Sequence, residues 1–115
     1  MENHAFHCKQ QKKTYQPDII IKEHNSGVCC INQLSSGILA SCSKDKTIKL
    51  FNIKEMKYDI LQTLNYHTNC VNKIIELKNK NLVSCSSDSS IIFYIKDNNE
   101  YKKDYQINHK NKFYY

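Results

Sequence analysis

The sequence contains no arginine and no tryptophan, and it has only two glycines and one proline. All 17 basic residues are lysines, and the formal net charge is +6. Arginine is the favoured side chain for bidentate contacts with phosphate and guanine, so its absence weakens the interpretation as a nucleic-acid-binding protein. The joint abundance of Lys, Asn, Ile and Tyr indicates biased residue usage and a solvated lysine surface more than a dedicated basic groove.

Long apolar runs are also missing. No window approaches the roughly 18 to 20 apolar residues that a membrane helix needs. The N-terminal segment MENHAFHCKQQKK lacks the apolar region of a secretory signal. A chain of 115 residues has the length of about one domain. We therefore expect an intracellular protein, cytoplasmic or nuclear, with no contact to a membrane.

The six cysteines lack the context of a disulfide scaffold, because no export signal precedes them. Cys29 and Cys30 are adjacent, which suits no ordinary bridge, and Cys42 and Cys85 lie in strand-like apolar runs. We expect reduced thiols that pack as small hydrophobic side chains.

A short tract near the N-terminus, with His4, His7 and Cys8, contains residue types that bind metals. No Cys-x-x-Cys pair completes a tetrahedral set around it. We therefore interpret residues 1–14 as a polar tail, and we expect neither a metal site nor a cofactor.

The most informative feature is a repeat with a period of 43 residues. The segments LASCSKDKTIKLFNI (39–53) and LVSCSSDSSIIFYIK (82–96) share one pattern without any insertion. The same offset relates His24 to His67, Val28 to Val71, Ile31 to Ile74, Leu34 to Leu77 and Asp45 to Asp88. It also holds upstream and downstream, so the repeat covers residues 15 to 107.

Each repeat unit reads as short strands that are separated by tight turns. The runs at 38–43, 47–53 and 58–64 are rich in β-branched and aromatic residues. No segment shows an apolar stripe with helical period over ten or more residues. Four short strands in roughly 43 residues are typical of a β-propeller blade.

The chain resembles the WD-repeat family of β-propellers. The family pattern has a His before the first strand, an apolar-small-Ser segment, an Asp in a tight turn, Thr-Ile and a Trp-Asp pair. The matching residues are His24, Ser41, Asp45, Thr47-Ile48 and Phe51-Asn52 in the first repeat, and His67, Ser84, Asp88, Ser90-Ile91 and Tyr94-Ile95 in the second. The sequence departs from the pattern where Glu23 and Tyr66 replace a Gly and where Phe51 and Tyr94 replace the Trp.

The resemblance implies an all-β fold with two four-stranded antiparallel propeller blades in an incomplete, open propeller. An outer strand is expected over residues 17–23, the first blade over about 27–64 and the second over about 70–107. Residues 108–115 form a stub at which a third blade would begin.

The resemblance also implies a buried hydrogen-bond network in each blade, formed by His24, Ser41 and Asp45 and by His67, Ser84 and Asp88. Phe51 has no N–H to donate, so the first network lacks one hydrogen bond, worth on the order of 1 kcal/mol.

A Ser-His-Asp set could suggest a hydrolase. Its occurrence twice at one spacing, without a G-x-S-x-G elbow, argues that the protein is not an enzyme.

The function implied by the resemblance is a non-catalytic scaffold for protein–protein interactions. Partner contacts are expected beside the His loop and before the turn Asp, at Asn25, Ser26, Lys44, Thr68, Asn69 and Ser87. Two blades would leave apolar faces uncovered, so we expect self-association or completion by further blades.

The alternative to a protein-binding scaffold is a basic nucleic-acid-associated module, since YKKDYQINHKNKFYY mixes lysines with tyrosines that can stack on bases.

Overall fold

The computed structural model describes residues 5–8 and 19–109, and these residues form ten strands and no helix. The strands are β1 Phe6–Cys8, β2 Ile19–Ile21, β3 Val28–Gln33, β4 Leu39–Ser43, β5 Ile48–Lys54, β6 Lys57–Leu64, β7 Val71–Glu76, β8 Leu82–Ser86, β9 Ser90–Asp97 and β10 Glu100–Asn108. A helix able to span a membrane is not found in these ranges.

Eight of the strands form two antiparallel meanders, which we name the first blade (β3–β4–β5–β6) and the second blade (β7–β8–β9–β10). Each strand pairs with the next one along the chain, so only short hairpin turns connect them. The predicted fold class is confirmed, because the described chain is all-β and its two four-stranded sheets are blades that do not close a barrel.

The turns repeat as regularly as the strands. Residues that are 43 apart adopt the same left-handed backbone conformation in the two blades. These pairs are Lys46 and Ser89, Gly37 and Lys80, Glu55 and Asn98, and Met56 and Asn99. Successive positive φ angles are the mark of a type I′ hairpin turn, which Asn tolerates better than Glu or Met.

The first two strands lie beside the first blade and form a small sheet of their own. β1 pairs with β2 in antiparallel fashion, with Phe6 opposite Ile21 and Cys8 opposite Ile19. Residues 6–8 fall in the segment predicted to be a polar tail, so the prediction missed this strand. A free strand edge presents unpaired N–H and C=O groups, and β1 provides partners for those of β2. His4, most of the tail and residues 110–115 of the stub lie outside the described residues.

Each blade has two faces. We name the face that carries Leu39 and Phe51, or Leu82 and Tyr94, the upstream face. The opposite face is the downstream face, and it carries Ala40, Cys42 and Leu50 in the first blade and Val83, Cys85 and Phe93 in the second. Side chains alternate between the two faces because successive residues of a strand point to opposite sides.

The main core lies between the blades, where the downstream face of the first packs against the upstream face of the second. Its buried members are Leu34, Ala40, Cys42, Ile48, Leu50, Leu64, Val71, Ile74, Leu82, Ile92, Tyr94 and Tyr101. A second cluster joins Ile19 and Ile21 of β2 to Leu39 and Phe51 on the upstream face of the first blade. Burial of this apolar surface is the main driving force for docking the two sheets.

Polar contacts fix the register of the two blades. The Gln62 amide bonds both main-chain groups of Tyr101, with Nε2 donating to the carbonyl at 2.6 Å and the Tyr101 N–H donating to Oε1 at 2.8 Å. Asn32 donates to the carbonyl of Ile74 at 3.1 Å. Ser35 donates its N–H and its hydroxyl to the Glu76 carboxylate at 2.8 and 3.1 Å. We name these three contacts the junction clamp.

Candidate functional site

The candidate site is the end of the blades at which the His and Asp residues of each repeat meet. In the first blade, His24 Nδ1 lies 2.9 Å from Asp45 Oδ2, and His24 Nε2 lies 2.6 Å from Ser41 Oγ. A carboxylate can only accept, so Nδ1 carries the proton and Nε2 accepts from the serine hydroxyl. Thr47 joins the set, because its hydroxyl and its N–H both donate to Asp45 Oδ1.

The environment keeps this histidine neutral and this carboxyl ionised. Burial lowers the pKa of His24 below its usual 6.5, although Asp45 opposes the shift. Burial alone would raise the pKa of Asp45. The hydrogen bonds from Thr47, the Asn25 N–H and His24 outweigh that effect and lower the pKa of Asp45 to about 2.

The second blade repeats the arrangement with the same distances. His67 Nδ1 lies 2.9 Å from Asp88 Oδ2, and His67 Nε2 lies 2.6 Å from Ser84 Oγ. Ser90 takes the place of Thr47 and donates to Asp88 Oδ1. Burial lowers the pKa of His67, and the pKa of Asp88 is lowered as well, since its hydrogen bonds outweigh burial.

The two blades differ at the aromatic position. In the second blade the Tyr94 hydroxyl lies 2.7 Å from Ser84 Oγ. Because Ser84 donates its own proton to His67, Tyr94 is the donor in this contact. Phe51 occupies the equivalent position in the first blade and packs edge-on against Tyr58, with ring centroids 5.7 Å apart. The second network therefore has one more member than the first.

Tyr94, Thr47 and Ser90 are further members of the networks that were not predicted from the sequence. Thr47 and Ser90 were visible in the repeat pattern, where a hydroxyl residue precedes Ile in both units. The sequence also shows that Tyr94 has a hydroxyl, but whether this hydroxyl bonds Ser84 depends on how the ring packs. Both networks lie largely below the surface, since His24 is 4% exposed and His67 is 5% exposed.

A second pair of serines organises the adjoining turns. The Ser43 hydroxyl donates to the carbonyl of Gly27 at 2.9 Å and accepts the N–H of Asp45 at 3.0 Å. Ser86 does the same with Cys70 at 2.7 Å and with Asp88 at 3.0 Å. The preference for Ser41 over Ser43 as the histidine's partner agrees with these contacts, because Ser43 bonds main-chain groups instead.

Six loop residues that the sequence assigned to partner binding lie at this end of the blades. Asn25, Lys44, Thr68 and Asn69 are exposed, and Ser26 and Ser87 are half-buried. Asp45 accepts the N–H of Asn25 at 2.9 Å, and Asp88 accepts that of Thr68 at the same distance. Each network thus fixes the main chain of the loop above it. We refer to the surface formed by the six residues as the loop end.

No metal-binding arrangement is visible in residues 5–8 and 19–109, where no three His, Cys, Asp or Glu side chains are placed to hold an ion. The five cysteines described there with their surroundings are free thiols, and Cys42 and Cys85 are buried. Burial raises the pKa of the Cys42 thiol, which suppresses thiolate reactivity.

Comparison with known families gives a match to "WD domain, G-beta repeat" over residues 15–52. No curated protein matches the chain. The match covers the first His–Asp network, and the second blade repeats that network 43 residues later. The chain is therefore similar to the WD-repeat family over residues 15–52, and its second blade repeats the geometry of that region.

Proposed function

We propose that the protein is a non-catalytic scaffold that binds a protein partner through its loop end: Asn25, Ser26, Lys44, Thr68, Asn69 and Ser87. The observation that carries the proposal is the pair of carboxylate contacts at 2.9 Å that tie Asn25 and Thr68 to the networks. A loop that is ordered before binding loses less conformational entropy when a partner docks. The proposed scaffold comprises blades at about 27–64 and 70–107, for which further blades or a second copy would supply neighbours.

The networks themselves support a structural role for His24, Ser41, Asp45, His67, Ser84 and Asp88. Their distances resemble those of a Ser-His-Asp triad. A nucleophile must reach its substrate, however, and the side chains of Ser41 and Ser84 are 0% and 1% exposed. Burial of both serines favours a network that holds loops over one that attacks a substrate.

The nucleic-acid alternative gains little support from the tyrosines and lysines near the C-terminus. Tyr101 is 4% exposed and belongs to the core between the blades. Tyr105 already stacks on Phe93, with centroids 4.4 Å apart and rings 9° from parallel. Lys102 is paired with Asp97 at 2.9 Å. A titration of polynucleotide binding against salt separates the two functions, because phosphate contacts give a steep loss of affinity.

The scaffold proposal is tested by two matched charge reversals. Lys44→Glu changes the loop end, and Lys78→Glu changes an exposed lysine in the β7–β8 turn at the opposite end. Proteins that bind the wild-type chain would be captured from cell extract, cross-linked and quantified by mass spectrometry. We expect at least one protein that the Lys78→Glu variant retains and the Lys44→Glu variant loses. Identical sets for both variants would contradict the loop end as the binding surface.

A further inference from the structure

The downstream face of the second blade is an apolar surface that no described residue covers. By strand register it carries Ile75 on β7, Val83 and Cys85 on β8, Ile91 and Phe93 on β9, and Tyr105 and Ile107 on β10. Ile75, Tyr105 and Ile107 are 40%, 49% and 44% exposed. A pocket of about 160 Å³ opens on this face between Ile75, Val83 and Ile91, and Lys73 lies at its edge.

The first blade shows how such a face looks when it is covered. Leu64 is 2% exposed and Ile48 is 0% exposed on the downstream face of the first blade. Their equivalents 43 residues later are Ile107, which is 44% exposed, and Ile91, which is half-buried. The second face therefore has the apolar residues of a packed blade surface without the packing.

The polar residues of the two faces differ, and this difference limits what can cover the second one. The junction clamp uses Gln62, Asn32 and Ser35 of the first blade. The residues 43 positions later are Tyr105, Ile75 and Lys78. None of these side chains offers the amide or hydroxyl contacts of the clamp in the same place. A blade that docks as the second docks on the first would lose the hydrogen bonds made by the side chains of Gln62, Asn32 and Ser35, and would keep only the one donated by a main-chain N–H.

We propose that this face is a dimer interface, on which the same face of a second copy packs around a two-fold axis. An interface of this kind brings identical surfaces together, so it suits a face without a strong charge of one sign. Lys73 is the charged residue at the pocket, and Lys102 at the far end is neutralised by Asp97. The stacked Phe93 and Tyr105 rings give both copies a rigid apolar centre. Two sheets would then pack face to face about 10 Å apart.

The size of the face indicates a weak dimer. Neighbouring strands lie about 4.8 Å apart and each residue extends a strand by about 3.3 Å. Four strands of about five residues each therefore form a sheet of about 19 by 17 Å. Such a footprint of about 320 Å² is less than half of the 800 Å² or so that a standard interface buries on each partner, so this interface belongs to the small, transient class. We therefore expect weak association, with a dissociation constant of about 100 μM or higher and a population of dimers that changes with concentration.

Sedimentation velocity of the 115-residue chain, over a hundredfold concentration range, tests the proposal. We expect a monomer–dimer equilibrium without larger species, because a two-fold interface closes at two copies. Ile75→Glu and Ile107→Glu place a carboxylate in the interface, and each should raise the dissociation constant about tenfold or more. Ile31→Glu is the control. It is equally exposed at 42% but lies on the upstream face of the first blade, and it should leave the constant unchanged.

A purely monomeric wild-type chain would overturn the proposal, and so would open-ended oligomers or equal weakening by all three variants. Equal weakening would indicate head-to-tail contact of an upstream face with a downstream face. Circular dichroism checks that each variant is folded. Hydrogen exchange of the wild-type chain provides a test that does not depend on the folding of any variant. Amides of β9 and β10 should be better protected at high concentration while those of β3 stay unchanged, and the reverse pattern would refute the assigned face.

Discussion

At the scale of single residues, the two blades differ in how well equivalent networks are completed. Ser84 interacts with both His67 and Tyr94, whereas Ser41 in the first blade faces a phenylalanine at the equivalent position. Burial raises the pKa of the Tyr94 hydroxyl above its usual 10, which keeps it protonated as a donor. The protonated hydroxyl can therefore donate to Ser84 while His67 is neutral.

Removal of this hydroxyl gives a first prediction. Tyr94→Phe should lower the free energy of unfolding by about 1 kcal/mol, because one buried hydrogen bond is lost while the ring stays in place. For a domain of this size that corresponds to a fall in melting temperature of about 4 to 8 °C. Thr63→Val is the control, since this residue is exposed, lies outside the downstream face of the second blade and bonds the Lys49 side chain in water, so loss of its hydroxyl should have little effect. Equal melting temperatures for the two variants would show that the Tyr94 hydroxyl contributes nothing.

The buried histidines give a prediction for pH. The pKa values of His24 and His67 are lowered by burial, so between those values and 6.5 the unfolded chain binds more protons than the folded one. Stability should therefore fall as the pH drops below about 6.5. A further loss should follow below 3.8, as Asp45 is protonated toward its pKa of about 2.

Thermal melts between pH 8 and pH 5 would measure the histidine contribution. The His67→Gln variant should show a smaller dependence on pH than the wild-type chain, because one of the two buried groups is gone. A melting temperature that stays level or rises as the pH falls to 5 would mean that the histidines are charged in the folded state.

At the scale of strands and turns, the repeat makes the strand positions predictable from the sequence. The β-branched and aromatic runs predicted strands at 38–43, 47–53 and 58–64, which lie within one residue of β4, β5 and β6, and the offset of 43 carries the same pattern into the second blade. The sequence could not show the turn conformation at Glu55 and Met56. Both have positive φ, which neither side chain favours, and the adjacent strand pairing enforces it.

β1 was beyond prediction for a different reason. Three residues in a polar segment carry no strand pattern, and their conformation depends on the free edge of β2. The candidate site was more accessible to prediction, because the family resemblance named six network residues that the structure brings within hydrogen-bond distance. The resemblance could not show which of the two aromatic residues would complete its network.

The junction clamp gives the prediction at this scale. Gln62→Ala would leave the N–H and the carbonyl of Tyr101 without the amide that now bonds both. An unpaired, partly buried main-chain group costs about 1 to 3 kcal/mol, so the free energy of unfolding should fall by at least 1 kcal/mol. Urea unfolding measures this change. Gln106→Ala is the control, because its amide bonds only the exposed Asn108 and Lys103 side chains. Equal losses would show that the clamp does not hold the blades.

At the scale of the whole molecule, the two blades share one core, and apolar side chains stay exposed on the downstream face of the second blade and on the part of the first blade's upstream face that β2 does not cover. Ile74 is 0% exposed between the blades, whereas its equivalent Ile31 on the first blade is 42% exposed. Uncovered apolar faces favour association, since each copy then shields the other from water. We therefore expect the stability of the two blades to depend on a neighbour.

The thermal unfolding transition, measured by circular dichroism over a hundredfold range of protein concentration, tests most directly whether the blades depend on a neighbour. A chain that is stabilised by association should show a broad transition whose midpoint rises with concentration, because binding favours the folded state by mass action. The Ile107→Glu variant should unfold at a lower midpoint that varies less with concentration. A sharp transition at one temperature across the whole range would show that two blades suffice by themselves, and it would contradict the account.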